Sequence, residues 1–366
     1  ARDIARFRCA RNNGILLLAS ATPSIETYYR AKTGRYLSVR LTERIGGTSL
    51  PETIISNVAG LQKNGGGLIG SELDLELKEV LSKGRQAILF MNRRGYNHFV
   101  SCPSCGEALR CPNCSISLTY HTVRHGDGEL RCHMCGYKGH VPENCPSCGK
   151  SHLVHFGAGI QKVEEELKIR YPNARIMRMD ADTTSSKASF YKMIDRFRSG
   201  EADILIGTQM VTKGHDFPGV DVAGVILADT SLYLDDYRAN ERTFSMLTQL
   251  IGRSGRSGKQ GHAVIQTFSP EHPIIKLASD QNYDSFYKSE IEFRRAMLFP
   301  PFCRIALISI TAEDDRTVAA ISSKFYTDLC SLLKGDFRDV RMVIFGPYEA
   351  QIYRVNKRYR YRIICK

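Results

Sequence analysis

No GxxxxGKT or GxxxxGKS phosphate loop occurs anywhere in this chain, the GKS at 149–151 having Asn144 where the loop's first glycine belongs, and there is no DExH box. The usual cradle for a nucleotide's phosphates and the carboxylate that holds its Mg²⁺ are therefore both missing from these 366 residues. Long apolar runs are missing as well. Stretches such as Ile15–Ala19 fall far short of the roughly 20 residues a membrane helix needs, so a helical membrane span is excluded and no membrane partner is expected. There is no low-complexity tract, and no internal repeat beyond paired cysteines. Neither an initiator Met nor a signal peptide opens the sequence; Ala1–Arg8 reads like the interior of a helix, as in a piece of a longer chain. At 42% hydrophobic residues, two or three globular domains can still fill their cores.

Cysteine, by contrast, is concentrated. Of 12 cysteines, eight form four CxxC pairs: Cys102/Cys105, Cys111/Cys114, Cys132/Cys135 and Cys145/Cys148. A CxxC turn points two thiolates at one ion, and two such turns complete the tetrahedral all-cysteine site of structural zinc. Two zinc ions are expected. The seventeen residues between Cys114 and Cys132 fit a zinc-ribbon gap, whereas the five between Cys105 and Cys111 leave little chain to bring two turns together. That favours nested sites, Cys111/Cys114/Cys132/Cys135 inside and Cys102/Cys105/Cys145/Cys148 outside, with serial pairing as the alternative. Four complete pairs leave no vacancy for His121, His125, His133 or His140. A closed four-thiolate site has no open position for water, so the ions are structural rather than catalytic. Metal-ligand spacing in a chain of this size points to a reducing, cytoplasmic compartment. Cys9, Cys303, Cys330 and Cys365 sit among apolar neighbours and read as core residues.

The formal charge is +13 and the pI about 9.2. Eight thiolates binding two zinc ions remove only part of that excess, which points to a polyanionic partner. Between Gly346 and Lys366 six Lys or Arg residues face one acid, interleaved with Tyr348, Tyr353, Tyr359 and Tyr361.

Periodicity gives an α/β chain. Gly14–Ala19 reads as a buried parallel strand, followed by Ser20-Ala21-Thr22 and a helix with Pro23 as its first residue and Thr22 as its cap. Gly46, Gly47 and Gly65-Gly66-Gly67 mark a linker or mobile loop, with a boundary near residue 52. Ser71–Lys83 is a helix with Ser71 as its cap, Gln86–Met91 a buried strand, and Asn92–Tyr96 the turn after it. The cysteine module enters there, as an insertion over 101–150. Helix and strand then alternate: Gly159–Tyr171, Arg175–Met179, Lys187–Arg198, Asp203–Ile206, Val222–Leu227, Arg238–Ile251 and His262–Phe268. That alternation predicts a parallel, RecA-like sheet with its working loops at the carboxyl ends of the strands. From Pro270 a separate α+β unit is expected, with strands Ile305–Ile310, Arg341–Phe345 and Tyr361–Cys365 and a long helix Asp314–Leu333. The predicted domains are 1–52, 53–269 interrupted by 101–150, and 270–366.

Three motifs carry chemistry. Gly207–Phe217 (GTQMVTKGHDF) follows a buried strand and offers hydroxyl, amide and backbone N–H groups suited to phosphates. Gln249–Arg256 (QLIGRSGR) ends a helix with two arginines three apart, planar charged forks fitted to the charge developing on a transferred phosphoryl group. With SATP at 20–23, these resemble motifs III, V and VI of superfamily 2 helicases. The four CxxC pairs after NRRGY, and DYRANERTF at 236–244, narrow the resemblance to the primosomal replication-restart helicases, the PriA family.

The resemblance spans nearly the whole chain. It implies an ATP-dependent 3′-to-5′ DNA helicase acting at stalled forks, on branched or single-stranded DNA, that loads primosome proteins and meets single-stranded-DNA-binding protein. It implies that Arg253 and Arg256 face the ATP γ-phosphate, Arg256 as the finger, and that Gln249 orients the attacking water or the phosphate. Thr208, Gln209 and Thr212 would contact the DNA backbone. Gly214 and Asp216 would take the nucleotide side of that loop, with Ser20 and Thr22 beside the cofactor, coupling the lobes. In the family the GKT and DExH motifs lie upstream of SATP, so the chain as it stands is expected to be inactive alone, with ATP and Mg²⁺ bound by the longer protein. A non-catalytic zinc-ribbon adaptor for nucleic acid or replication proteins is the alternative in a different class.

Overall fold

A computed structural model of the chain describes residues 2–41, 49–58, 67–91, 99–101, 109–113, 118–121, 129–132, 137–151, 154–156, 160–180, 183–184, 186–208, 217–232, 236–255 and 260–366. The first part holds helices α1 (Arg2–Arg11) and α2 (Ile25–Lys32), then β1 (Glu52–Asn57), α3 (Ser71–Ser82) and β2 (Gln86–Phe90). Five three-residue strands follow: β3 (Phe99–Ser101), β4 (Thr119–His121), β5 (Glu129–Arg131), β6 (Lys138–His140) and β7 (Val154–Phe156). Next come α4 (Ile160–Arg170), β8 (Ile176–Met179), α5 (Lys187–Arg198), β9 (Ile204–Gly207), β10 (Val220–Val225), α6 (Ala239–Ile251) and β11 (His262–Thr267). The chain closes with α7 (Pro273–Ser279), α8 (Tyr283–Ala296), β12 (Ala306–Ala312), α9 (Asp315–Lys334), β13 (Ile344–Val355) and β14 (Arg358–Cys365).

The main sheet is parallel throughout, in the order β1-β11-β10-β2-β9-β8. Its central strand β2 is buried along its whole length because both faces are covered. Ile88 and Phe90 point into a core shared with α2, α5, α6, α7 and α8. Ala87, Leu89 and Met91 point into the opposite core, beneath α3 and α4. This is the predicted parallel, RecA-like α/β sheet, with helices on both faces. The cysteine-rich module forms its own antiparallel sheet, β6-β5-β4-β3-β7, and the C-terminal part is a third sheet, β12-β14-β13, against which α9 packs.

Several expectations need correction. Gly14–Ala19 is not a strand: it has no sheet partner among the described residues, and Ile15 and Leu17 stand 97% and 86% exposed. A parallel strand needs neighbours in register, and an apolar run cannot supply them alone. Ser24 rather than Thr22 caps α2, accepting the Thr27 N–H, so Pro23 precedes the cap. Gly70 precedes α3, making Ser71 its first residue. Glu52–Asn57, read only as the neighbourhood of a boundary, is the strand β1 at the sheet's edge, and β13 extends well past Phe345. The glycines at 46, 47, 65 and 66 and the turn at 92–96 lie outside the described residues.

The DYRANERTF stretch leads into α6 and lies at a buried ionic cluster. The Arg294 side chain of α8 is fully buried. Its Nε donates to Glu290 Oε1 at 2.9 Å and its Nη2 to Glu241 Oε2 at 2.6 Å. Nη1 reaches the Pro300 carbonyl at 3.3 Å and Glu26 Oε1 of α2 at 3.4 Å. Arg238 donates to the same Glu26 oxygen at 2.9 Å. The Tyr237 ring lies against both guanidinium groups and stacks on Phe299. Three helices are thereby pinned at one point. Burial, and then the neighbouring Glu26 charge, pushes the Glu241 carboxyl above the usual range. Burial also acts to raise Glu26, but its own backbone N–H and the Arg238 guanidinium outweigh it and hold that carboxyl low.

Arg294→Met, which keeps an unbranched apolar stem but removes the guanidinium, leaves buried carboxylates without their cation and is expected to cost about 3–5 kcal/mol in denaturant unfolding at neutral pH. Unpaired buried carboxylates titrate high, so acidification protonates them and the penalty shrinks as pH falls. A loss under about 1 kcal/mol, or one independent of pH, would contradict this role.

Candidate functional site

Two clusters of predicted site residues can be placed. The first joins SATP to the arginine-bearing helix. The hydroxyls of Thr22 and Ser245 are hydrogen-bonded at 2.8 Å. Gln249 Nε2, one turn further along α6, donates to Ser245 Oγ at 2.9 Å and to Thr22 Oγ1 at 3.4 Å. Ser20 Oγ accepts the Thr22 N–H at 3.1 Å, which folds the SATP segment into a tight polar turn. Tyr283 Oη of α8 fixes the other side by donating to the Pro23 carbonyl at 2.7 Å. Burial among acidic and phenolic neighbours keeps that phenol protonated far beyond its ordinary range.

Arg253 follows α6, whose C-cap is Gly252, and is 7% exposed. Gly255, at φ 71°, donates its N–H to the Val220 carbonyl at the start of β10. A Cβ on Gly261 would come 2.3 Å from the Gly255 nitrogen, so only glycine permits this close return of the chain. The arginine turn therefore sits at the amino edge of the sheet. Thr208, 8% exposed, immediately follows β9 and lies at the opposite, carboxyl edge. The two motifs do not share one set of carboxyl-end loops, contrary to the expectation from strand alternation. A helix linking parallel neighbours β10 and β11 must run back to the amino edge, and a motif at its end lies there by topology. Gln209, Thr212, Gly214, Asp216 and Arg256 lie outside the described residues, as do Cys102, Cys105, Cys114 and Cys135.

The second cluster is the cysteine module. Cys111 and Cys132 are both buried in one small core with Val100, Leu109, Leu118 and Leu130. The Asn113 N–H donates to Cys111 Sγ at 3.4 Å, a bond that favours a thiolate. The Cys132 N–H donates to the Tyr137 carbonyl at 2.8 Å and the Cys145 N–H to the Lys150 carbonyl at 2.9 Å, so two CxxC segments are closed by the same backbone bond. Gly149, at φ 72°, completes the second turn. Cys145 is buried and Cys148 exposed, outside the core that holds Cys111 and Cys132. Among the described residues no three Cys, His, Asp or Glu side chains gather as a metal site; Cys111 and Cys132 share one core and have the chemistry of zinc ligands.

Residues 149–258 match the helicase conserved C-terminal domain, 111–138 the PriA DNA helicase Cys-rich region domain, and 295–366 the primosomal protein N C-terminal domain. The replication restart protein PriA of Bacillus subtilis is 41% identical over 367 residues, covering 100% of this chain and 45% of that protein. Those of Synechocystis and Haemophilus influenzae are 38% and 33% identical, covering 100% of this chain and 44% and 49% of theirs. This chain belongs to the PriA family. It spans about half the length of the curated relatives it matches. Its cysteine-rich module is a zinc-binding ribbon of the PriA type.

Within the PriA-family chain, sequence reasoning missed Ser245, Tyr283, Glu26 and the Arg294 cluster. A signal for part of this was present. Arg238, Glu241, Ser245 and Gln249 recur at spacings of three and four, a polar stripe along one face of α6 and its cap. What the stripe faces is visible only once α2 and α8 are in place. The described residues contain no helix long and apolar enough to cross a membrane.

Thr22→Val removes the shared acceptor and is expected to cost about 1 kcal/mol in denaturant unfolding. In a double-mutant cycle with Ser245→Ala the two costs should be less than additive. Full additivity would show that the contact is not made in solution.

Proposed function

We propose that this chain supplies the second RecA-like lobe, zinc module and C-terminal domain of an ATP-dependent, 3′-to-5′ DNA helicase that acts in replication restart at stalled forks. The observation that carries the reading is the Thr22–Ser245–Gln249 hydrogen-bonded cluster, which ties SATP directly to the helix leading into QLIGRSGR. A contact of this kind lets a change at the nucleotide reach the element that leads toward the other lobe.

The proposed division is 1–52 from the first lobe, 53–269 as the second lobe interrupted by 101–150, and 270–366 as the C-terminal domain. The additional length found in the relatives would bring the GKT and DExH motifs and hence ATP with Mg²⁺. Arg256 then acts as the finger on the transferred phosphoryl group, Arg253 faces the γ-phosphate and Gln249 orients the attacking water. Gly214, Asp216, Ser20 and Thr22 lie on the nucleotide side, while Thr208, Gln209 and Thr212 hold the DNA backbone. The location of Thr208 at the opposite sheet edge from Arg253 supports separate surfaces for DNA and nucleotide. Primosome proteins and single-stranded-DNA-binding protein are the proposed protein partners, in the cytoplasm. The positive charge that remains after zinc binding supports fork DNA as the polyanion.

In the full-length protein, Arg256→Ala should lower DNA-stimulated ATP hydrolysis about 10³-fold or more while DNA binding persists. Unchanged hydrolysis would reject the finger assignment. The purified protein should hold two zinc ions by atomic absorption, in the nested sites Cys111/Cys114/Cys132/Cys135 and Cys102/Cys105/Cys145/Cys148. Cys111→Ser should retain one. A single ion in the unaltered protein would contradict nesting.

A further inference from the structure

The turn between β13 and β14 belongs to the C-terminal sheet, yet it sits on the zinc module. Val355 and Arg358 are paired across a two-residue turn in which Asn356 and Lys357 both have positive φ, 50° and 63°. That is the turn geometry whose usual occupants are Asn-Gly, and a lysine in its second position carries a conformational cost. The strained residue makes a contact with the module. The Lys357 N–H donates to the Asn113 carbonyl at 2.8 Å. Arg354 Nη1 donates to the Pro112 carbonyl at 3.3 Å while its guanidinium lies 4.9 Å from the Tyr359 ring centre. Val355 packs against the core that contains Cys111 and Cys132.

Pro112 and Asn113 are the two residues inside the Cys111–Cys114 pair, so the hairpin grips the backbone of the metal turn itself. The Pro112 carbonyl and the Asn113 N–H belong to one peptide group. Its oxygen takes the Arg354 guanidinium and its nitrogen donates to Cys111 Sγ at 3.4 Å. A cation on the oxygen polarises that peptide, strengthens the N–H to sulfur bond and fixes the plane in which it points. Groups that orient metal ligands from behind matter to affinity nearly as much as the ligands do.

We propose that the β13–β14 hairpin is a clamp on the inner zinc turn, with Arg354, Val355 and the Lys357 amide as positioning groups, so that zinc binding and seating of the C-terminal domain are thermodynamically linked. The inference rests on the reading of Cys111 and Cys132 as ligands of one ion. Linkage is reciprocal: whatever the seated hairpin adds to zinc affinity, bound zinc adds to hairpin seating. Loss of the ion frees the hairpin, and loss of the hairpin loosens the ion.

The test uses full-length protein. Zinc release under chelator challenge is followed with 4-(2-pyridylazo)resorcinol, and backbone exchange at 354–358 by hydrogen–deuterium exchange mass spectrometry. Val355→Asp, and the milder Arg354→Ala in case the aspartate unfolds the sheet, should speed release of one ion by about 10-fold or more and leave the other unchanged. Cys111→Ser should raise exchange at the hairpin turn while β12 remains protected. Unchanged release in both hairpin variants overturns the proposal, as does unchanged exchange in Cys111→Ser. The zinc content of the unaltered protein tests the ligand reading separately: two ions uphold that reading even where unchanged release rates defeat the clamp.

Discussion

One fully buried guanidinium sets the geometry on which the candidate nucleotide-facing site depends. Arg294 has no exposed side chain and binds carboxylates from three helices, Glu26 of α2, Glu241 of α6 and Glu290 of its own α8. Such clusters add little net stability compared with a well-packed apolar replacement, since desolvation consumes most of the Coulomb gain. Here the cluster fixes position. Helix α2 is eight residues long with Ile25 as its one buried member, too little apolar surface to define its own placement. It is located by polar and aromatic contacts: Glu26 with Arg238 and Arg294, Tyr28 edge-on to Tyr283 and Tyr287, and the Pro23 carbonyl on Tyr283. The SATP turn is thus aimed at Gln249 by residues of α8, far along the chain.

The zinc module solves a related problem with different chemistry. Its strands are three residues long, and its core holds Val100, Leu109, Leu118 and Leu130 with Cys111 and Cys132. Short strands around a core with cysteines in it are the circumstance in which metal binding contributes folding energy. The β13–β14 hairpin adds Val355 to that core from outside and grips the turn between two cysteines. The C-terminal sheet and the zinc module are therefore parts of one mechanical unit rather than beads on a string.

Much of the fold was legible. Apolar runs alternating with helical stretches marked β2, β9, β10 and β11, because strands covered on both faces carry hydrophobic residues at most positions. Helical spacing marked α3, α5 and α6 to within a residue or two. Gly14–Ala19 failed for an instructive reason: its composition is that of a buried strand, but pairing is a property of neighbours, and none is present among the described residues. Strand β1 was overlooked because Glu52–Asn57 lies at the sheet's edge, where burial is partial and the hydrophobic signal weak.

The sequence alone determined the chemistry that can occur: cysteines paired at metal spacing, an arginine-bearing helix end, a polar SATP turn and an excess of positive charge. Those depend on residue type and short-range spacing, which one-dimensional order preserves. Tertiary structure decided which of these meet. It brought Thr22 to Gln249, put Thr208 and Arg253 at opposite edges of one sheet, and seated a C-terminal hairpin on a turn more than two hundred residues earlier. Such meetings depend on helix direction, sheet order and buried ion pairing, which arise only when distant segments pack.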